Sequence, residues 1–278
     1  MSLKKLRDHR LAFYDRLQKP ELKVRKRRIG GIPVLECYNR HLRNGPLLFL
    51  LHGFSGEKEN FRKQLLELAS QGYYGVAMDN RGHGERQQED AFRKLVSEEN
   101  GLNMLKVRQL IKDSADDLVS LINYYSESEN PSINPLRIGV AGISMGGFIT
   151  YRAMMLDSRI KVGTPLIASP FWEDLPGSLP KEFKVNREPE VINALNDYSQ
   201  KYSPGYHPEC FAPRPLLIQI GADDRHFDVG RVTTFYQKIM PYYHENAERV
   251  KLHILPNVAH EVTPEMWSNA VNWLKRYL

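Results

Sequence analysis

The sequence predicts an α/β protein built on a mostly parallel sheet with helices on both faces, and three observations carry that expectation. Short apolar runs recur at residues 47–51, 74–78, 138–141, 162–168, 216–220 and 250–255, as strands buried on both faces require. Segments of helical period lie between them, and strand alternating with helix is how parallel strands are joined by crossovers. The 278 residues are 41% hydrophobic and 26% charged, with 19 Gly and 17 Pro, which excludes collagen-like, disulfide-scaffold and largely disordered classes. A chain of this length buries about three quarters of its unfolded surface, so its core needs no metal or disulfide staple.

Taken in order, residues 3–17 read as a short helix. A hairpin follows, residues 24–29 and 32–37 flanking Gly30-Gly31. Helices are expected at 57–70, 105–125, 145–156, 229–240 and 264–277, the last opened by Thr263 as N-cap with Pro264 at the first helical position. One stretch breaks the rhythm: residues 171–210 carry Pro176, Pro180, Pro189, Pro204 and Pro208 among Trp172, Phe183, Tyr198, Tyr202 and Tyr206. Prolines this frequent forbid one long helix. Insertions after the carboxyl end of a parallel strand overhang the ligand crevice, so this segment is expected to be a small cap. The whole chain, 1–278, reads as one domain, with the N-terminal helix and hairpin at about 1–45 and the cap at about 171–210.

The formal charge of +6 comes largely from residues 4–43, including Lys23-Val-Arg-Lys-Arg-Arg28. Aromatic residues are not interleaved there as a nucleic-acid stacking platform requires, so a solvated face is expected and no nucleic-acid partner. The amino terminus is charged where a secretion signal needs an apolar stretch, and the longest apolar run, 46–51, is far short of the ~20 residues that span a bilayer. A cytoplasmic protein without a membrane partner is expected. Cys37 and Cys210 stand apart with no C-x-x-C pair, and both read as isolated buried thiols. No phosphate-loop or dinucleotide-turn motif occurs.

The strongest local signal is Gly142-Ile-Ser144-Met-Gly146, directly after one apolar run and directly before a helix. A nucleophile exposed on a sharp strand-to-helix turn needs glycines two positions either side, where strand and helix approach. The helix that follows also directs its free N–H groups and positive dipole end at an anion forming beside Ser144. A serine hydroxyl needs a base within reach and a carboxylate to orient that base. Two later strand ends supply both: Gly221-Ala-Asp223-Asp224-Arg225-His226 and Pro256-Asn-Val-Ala259-His260-Glu261. His260 is the candidate base and Asp224 the candidate acid, with Asp223 in reserve. The oxyanion donors are expected to be the backbone N–H groups of Met145 and of Phe54, the latter in His52-Gly53-Phe54-Ser55-Gly56. Asp79-Asn-Arg81-Gly-His83-Gly-Glu85 reads as a rigid turn braced by Arg81 and Asp79. Phe171, Trp172 and Phe227, with Phe54 and Met145, are expected to line an apolar substrate pocket. His260-Glu-Val-Thr-Pro264 lacks the second histidine of H-E-x-x-H, so no metal is expected.

In order along the chain, His52-Gly53-Phe54, Asp79-x-Arg81-Gly82-His83-Gly84, Gly142-x-Ser144-x-Gly146, Gly221-x-x-Asp224 and His260 resemble the α/β-hydrolase fold superfamily from about Leu47 onward. Ser144-Met-Gly-Gly147, Arg214-Pro-Leu-Leu217 and His260-Glu-Val-Thr-Pro-Glu-Met266 look most like its dienelactone-hydrolase and prolyl-oligopeptidase-like branch, which includes small bacterial serine esterases. The resemblance implies a sheet of about eight strands, Ser-Asp-His catalysis and no cofactor. Three departures stand out: Ala259 replaces a frequent glycine, Glu85 replaces a frequent small polar residue, and the cysteine nucleophile of true dienelactone hydrolases is absent, which disfavours that activity. The expected activity is cleavage of small-molecule carboxylic esters with small or medium acyl groups through an acyl-Ser144 intermediate. Peptide hydrolysis and a noncatalytic binding module are the alternatives; the sequence leaves oligomeric state open.

Overall fold

A computed structural model of the chain describes residues 21–87, 96–97, 101–102, 104–173 and 189–278. The helix expected at 3–17 and the middle of the expected cap, 174–188, lie outside the described residues. The strands are β1 (Leu22–Ile29), β2 (Ile32–Asn39), β3 (Gly45–Leu51), β4 (Tyr74–Met78), β5 (Val96–Ser97), β6 (Gly101–Leu102), β7 (Ile133–Ile143), β8 (Ile160–Leu166), β9 (Leu216–Gly221) and β10 (Val250–Leu255). The α-helices are α1 (Arg62–Ser70), α2 (Met104–Glu127), α3 (Met145–Leu156), α4 (Pro189–Tyr202), α5 (Val229–Ile239) and α6 (Pro264–Tyr277). Apart from the small β5–β6 pair, the strands form one eight-stranded sheet in the order β1-β2-β4-β3-β7-β8-β9-β10. Pairing is antiparallel in β1–β2 and β2–β4 and parallel from β4 through to β10.

The apolar runs explain the layering. Every residue of β3 is buried. Leu47, Phe49 and Leu51 face a core shared with α2, α3 and α5, whereas Leu48 and Leu50 face one shared with α1 and α6. Each such side chain contributes about 1.5–3 kcal/mol on burial. Helix α3 is buried along nearly its whole length, which is why it shows no polar stripe. The Thr263 side chain accepts from the Met266 N–H at 3.1 Å, capping α6 as its sequence predicts.

Boundaries differ from the sequence reading where neighbours decide them. The helix expected from residue 57 opens with a 3₁₀ turn, Lys58–Phe61. Strand β8 ends at Leu166 rather than 168, because Ile167 turns away with φ of 43° while its N–H donates to the Gln219 carbonyl at 2.7 Å. In the cap, α4 fits between Pro189 and Pro204 and is tied down by Arg108 of α2, whose guanidinium donates to the Leu195 carbonyl at 2.6 Å.

The basic run lies on β1, largely exposed, and is partnered by carboxylates: Lys26 with Glu59 at 2.7 Å and Arg28 with Glu85 at 2.9 Å. It is a solvated strand face. Both cysteines are free; Cys37 is buried, but Cys210 is only partly so, which corrects the reading of two buried thiols. Among the described residues no helix is long and apolar enough to cross a membrane.

Candidate active site

The parallel strands deliver their carboxyl ends to one edge, where an open α/β sheet keeps its ligand crevice. Ser144 stands between β7 and α3 with φ of 52° and ψ of −113°, a conformation that costs of order 1–3 kcal/mol unless its surroundings impose it. They do: its N–H donates to the Leu166 carbonyl at 2.9 Å, and its own carbonyl accepts from Gly147 and Phe148. The flanking glycines are sterically required. A Cβ on Gly142 would overlap the Gly146 carbonyl, and one on Gly146 would overlap the Leu51 carbonyl.

Opposite the hydroxyl, the loop after β10 brings in His260. Its Nε2 lies 3.0 Å from Ser144 Oγ, and its Nδ1 lies 2.8 Å from Asp224 Oδ2. Asp224 follows β9, and its other oxygen accepts the N–H groups of His226 at 2.8 Å and Phe227 at 3.2 Å. Burial pulls the Asp224 carboxyl upward, but the hydrogen bond and charge of His260, with those two N–H donors, override it and hold it below the usual carboxylate range. An acceptor held ionised at Nδ1 fixes the proton there and leaves Nε2 free to receive one from the hydroxyl. Asp223 is exposed and outside this chain; its backbone N–H donates to the Val258 carbonyl.

The loop after β3 closes the other side. A Cβ on Gly53 would lie 3.5 Å from Ser144 Cβ, an ordinary van der Waals contact, so this loop runs directly beside the Ser144 turn. Buried His52 sets the loop's path: its Nε2 accepts the Asn80 N–H at 3.0 Å, so Nδ1 carries the proton to the Gly53 carbonyl at 2.8 Å. Burial drives the His52 pKa down to about 4, which keeps the ring neutral. The Met145 N–H, first in α3, has no intrahelical acceptor, and Phe54 follows Gly53 on the facing loop.

Below that loop is a feature the sequence reading missed. Lys58 is 1% exposed, and its Nζ donates to Asp79 Oδ2 at 2.8 Å and Glu85 Oε1 at 2.7 Å. Asp79 also accepts the backbone N–H groups of Lys58 and Glu85. Burial pushes the Lys58 ammonium down, yet its carboxylate partners more than reverse this and raise it. The other brace of the 79–85 turn is Arg81, bidentate to Asp117 at 2.7 and 2.6 Å. Asp79 and Arg81 thus brace the turn through Lys58 and Asp117. A lysine between two glutamates, Glu57-Lys58-Glu59, reads as surface in the sequence and gave no signal.

Two cavities flank the site. One of about 280 Å³ is lined by Phe54, Ser55, Gly56, Glu57, Asn60, Gly82, His83, Gly84 and Gln87; the other, about 700 Å³, by residues 222–226 with Ala259 and His260. Phe171 and Trp172 line neither, contrary to the pocket expected of them. Trp172 is fully buried and stacks on Tyr198, while Phe171 packs edge-on against Tyr206 and Phe235. Both rings belong to the main core, with Leu195 of α4 beside them in it. Phe227 is also buried, with its ring 5.1 Å from that of His260 and 5.2 Å from Phe148; it packs against His260 and lines neither of these two cavities.

The strand order, the helices on both faces and the serine turn after the fifth strand of the large sheet define an α/β-hydrolase fold. Comparison with known proteins takes this one step further. Residues 44–204 match the family described as serine aminopeptidase, S33, and the chain belongs to that family of hydrolases. It is similar to YitV of Bacillus subtilis (strain 168), an esterase by provisional name, at 28% identity over 92% of this chain and 100% of that one. Among solved structures it is similar to TT1662 from Thermus thermophilus, with a TM-score of 0.68 at 23% identity over 92% of this chain and 98% of that one. The Pyrococcus furiosus esterase Pf2001 aligns with a TM-score of 0.61 at 18% identity, over 94% and 95% of the two chains.

Proposed function

We propose that the protein is a serine carboxylesterase that cleaves esters of small or medium acyl groups through an acyl-Ser144 intermediate. The observation that supports this reading is the continuous hydrogen-bonded path from Ser144 Oγ through His260 to Asp224. Ser144 attacks the ester carbonyl while His260 Nε2 takes its proton. The carbonyl oxygen becomes an oxyanion that accepts from the N–H groups of Met145 and Phe54, where losing one donor costs on the order of 3 kcal/mol. Collapse breaks the bond to the alkoxy oxygen, which leaves with the proton held on His260. Water then gives its proton to His260 and attacks the acyl-serine, and the same proton returns to Ser144 as the acid departs. Asp224 holds the imidazole tautomer throughout and stabilises its charged form.

This reading includes a cytoplasmic location, consistent with two free cysteines, and a single domain acting on a small-molecule ester, with neither nucleic acid nor membrane as partner. The family's description as an aminopeptidase favours a second reading, peptide hydrolysis. Labelling the pure protein with a fluorophosphonate and mapping the adduct by mass spectrometry tests the nucleophile, with Ser144 the expected site. Parallel turnover of nitrophenyl esters and aminoacyl nitroanilides separates the two readings: faster release from the anilides overturns esterase in favour of peptidase. Unlabelled Ser144 with no turnover of either means a noncatalytic module.

A further inference from the structure

His226 has no part in the proposed relay, yet it stands against it. Its ring lies 4.3 Å from that of His260, centroid to centroid, at 75°, and its backbone N–H donates to Asp224 Oδ1 at 2.8 Å. Its ring Nδ1 is buried and has no hydrogen-bond partner, an unmet capacity that calls for a ligand or a water. Asp224, His226 and His260 each bring one ligand atom to within 4.8 Å of the others, and the three share a wall of the 700 Å³ cavity. Among the described residues no other trio of His, Cys, Asp and Glu side chains meets in this way.

We propose that Asp224, His226 and His260 form an inhibitory Zn²⁺ site laid over the proposed relay. Two imidazole nitrogens and one carboxylate oxygen are a donor set that zinc prefers, with a water in the fourth position. At Zn–N distances of about 2.0–2.1 Å the ligand atoms of a tetrahedral ion stand roughly 3.3 Å apart, so the trio closes on the metal by side-chain rotation of about 1.5 Å or less. The consequence for His260 follows from counting its protons. A neutral imidazole carries one N–H. If zinc takes Nδ1, that proton moves to Nε2, which then donates to Ser144 and cannot act as base. If zinc takes Nε2, the lone pair that would receive the serine proton is spent. In either case Asp224 is drawn to the metal and Ser144 keeps its proton. The inhibition rests on the esterase reading; the metal site does not.

Titration calorimetry of the metal-free protein with ZnCl₂ tests the site, with Ser144→Ala, His226→Gln and Asp224→Asn in parallel and circular dichroism to verify folding. Saturable binding is expected in the native protein and equally in Ser144→Ala, weakened at least tenfold in His226→Gln and in Asp224→Asn. Ester turnover with zinc, divided by turnover with EDTA, should fall at least tenfold in the native protein and stay near one in His226→Gln. No saturable heat, or binding that neither substitution weakens, overturns the proposal. Zinc binding that depends on His226 in a protein with no ester turnover leaves the metal site standing and removes the esterase reading instead.

Discussion

At the level of single residues the informative pair is Asp223 and Asp224, adjacent in sequence and opposite in environment. One is exposed; the other has a fully buried side chain that accepts from His260 and two backbone N–H groups. Asp224→Asn is therefore expected to lower kcat for ester hydrolysis by about 10⁴-fold, because an amide at this position permits the wrong imidazole tautomer. Asp223→Asn should change it less than about twofold, as for a surface substitution. Steady-state kinetics on a nitrophenyl ester decides, and equal effects of the two would remove Asp224 from the relay. The sequence left the choice open because side-chain burial after a strand end depends on the next loop over, here Val258-Ala259-His260. Ser144 and His260 were legible because each lies in the segment that follows an apolar run, Ser144 directly after β7 and His260 five residues past the end of β10, so strand direction carries both segments to the same edge. His226 was in view in the same acidic turn, but its neighbour across the crevice is 34 positions away. Lys58 was hidden because a buried lysine and a solvated one have the same sequence signature until their partners are known.

At the level of elements, the strands were legible wherever both faces are buried, and all six core runs are strands of the sheet. Their ends were less so, since a boundary such as Ile167 is fixed by a hydrogen bond to β9 that no local pattern encodes. The close approach of elements around Ser144 gives a stability prediction. Gly146→Ala forces a Cβ into the Leu51 carbonyl of β3, an overlap with backbone that cannot relax by side-chain rotation. Its cost is expected to be about 3 kcal/mol or more, read as a lower urea midpoint with an unchanged slope. The second elemental device is the Lys58 brace, which pins the 3₁₀ turn after the Phe54 loop to the end of β4. Lys58→Met leaves Asp79 buried with no cation beside it, and breaking a buried pair from one side costs about 3–5 kcal/mol. Lys58→Arg, which keeps the charge, should recover part of this. Because the Phe54 loop is anchored by that turn, Lys58→Met should also lower kcat more than it raises KM. A stability within about 0.5 kcal/mol of the native protein would show that the brace carries no load.

Across the whole molecule the charge balance sets how stability depends on pH. The 39 Lys and Arg exceed the 33 Asp and Glu by six, and much of the surplus on β1 is matched by nearby carboxylates. Glu59, Glu85, Asp157 and Asp224 are all held below their ordinary values. For Glu85 the Lys58 hydrogen bond is the largest cause; for the other three, burial raises them but is outweighed by Lys26 and Lys58, by Arg159 and by His260 respectively. A carboxylate depressed in the folded state releases its proton more readily than in the unfolded chain. It therefore adds stability above the unfolded value of about 4, and that contribution is lost as pH falls through the folded value. With carboxylates neutralised and 9 His charged alongside the 39 other cations, self-repulsion acts in the same direction. Buried His52, held down to about 4, acts in the same direction from higher pH, because the unfolded chain takes up its proton below about 6.5 and the folded chain does not. Stability is therefore expected to decline from about pH 6.5 and to fall more steeply below about 4.5, with net proton uptake on unfolding; urea midpoints across this range provide the check. Lys58→Met tests the sign. Without the ammonium, Glu59 and Glu85 return toward ordinary values and contribute less to the acid loss. The gap between native and Lys58→Met should thus narrow on going from pH 7 to pH 4, and a gap that stayed constant would mean the lysine acts by packing and not by charge.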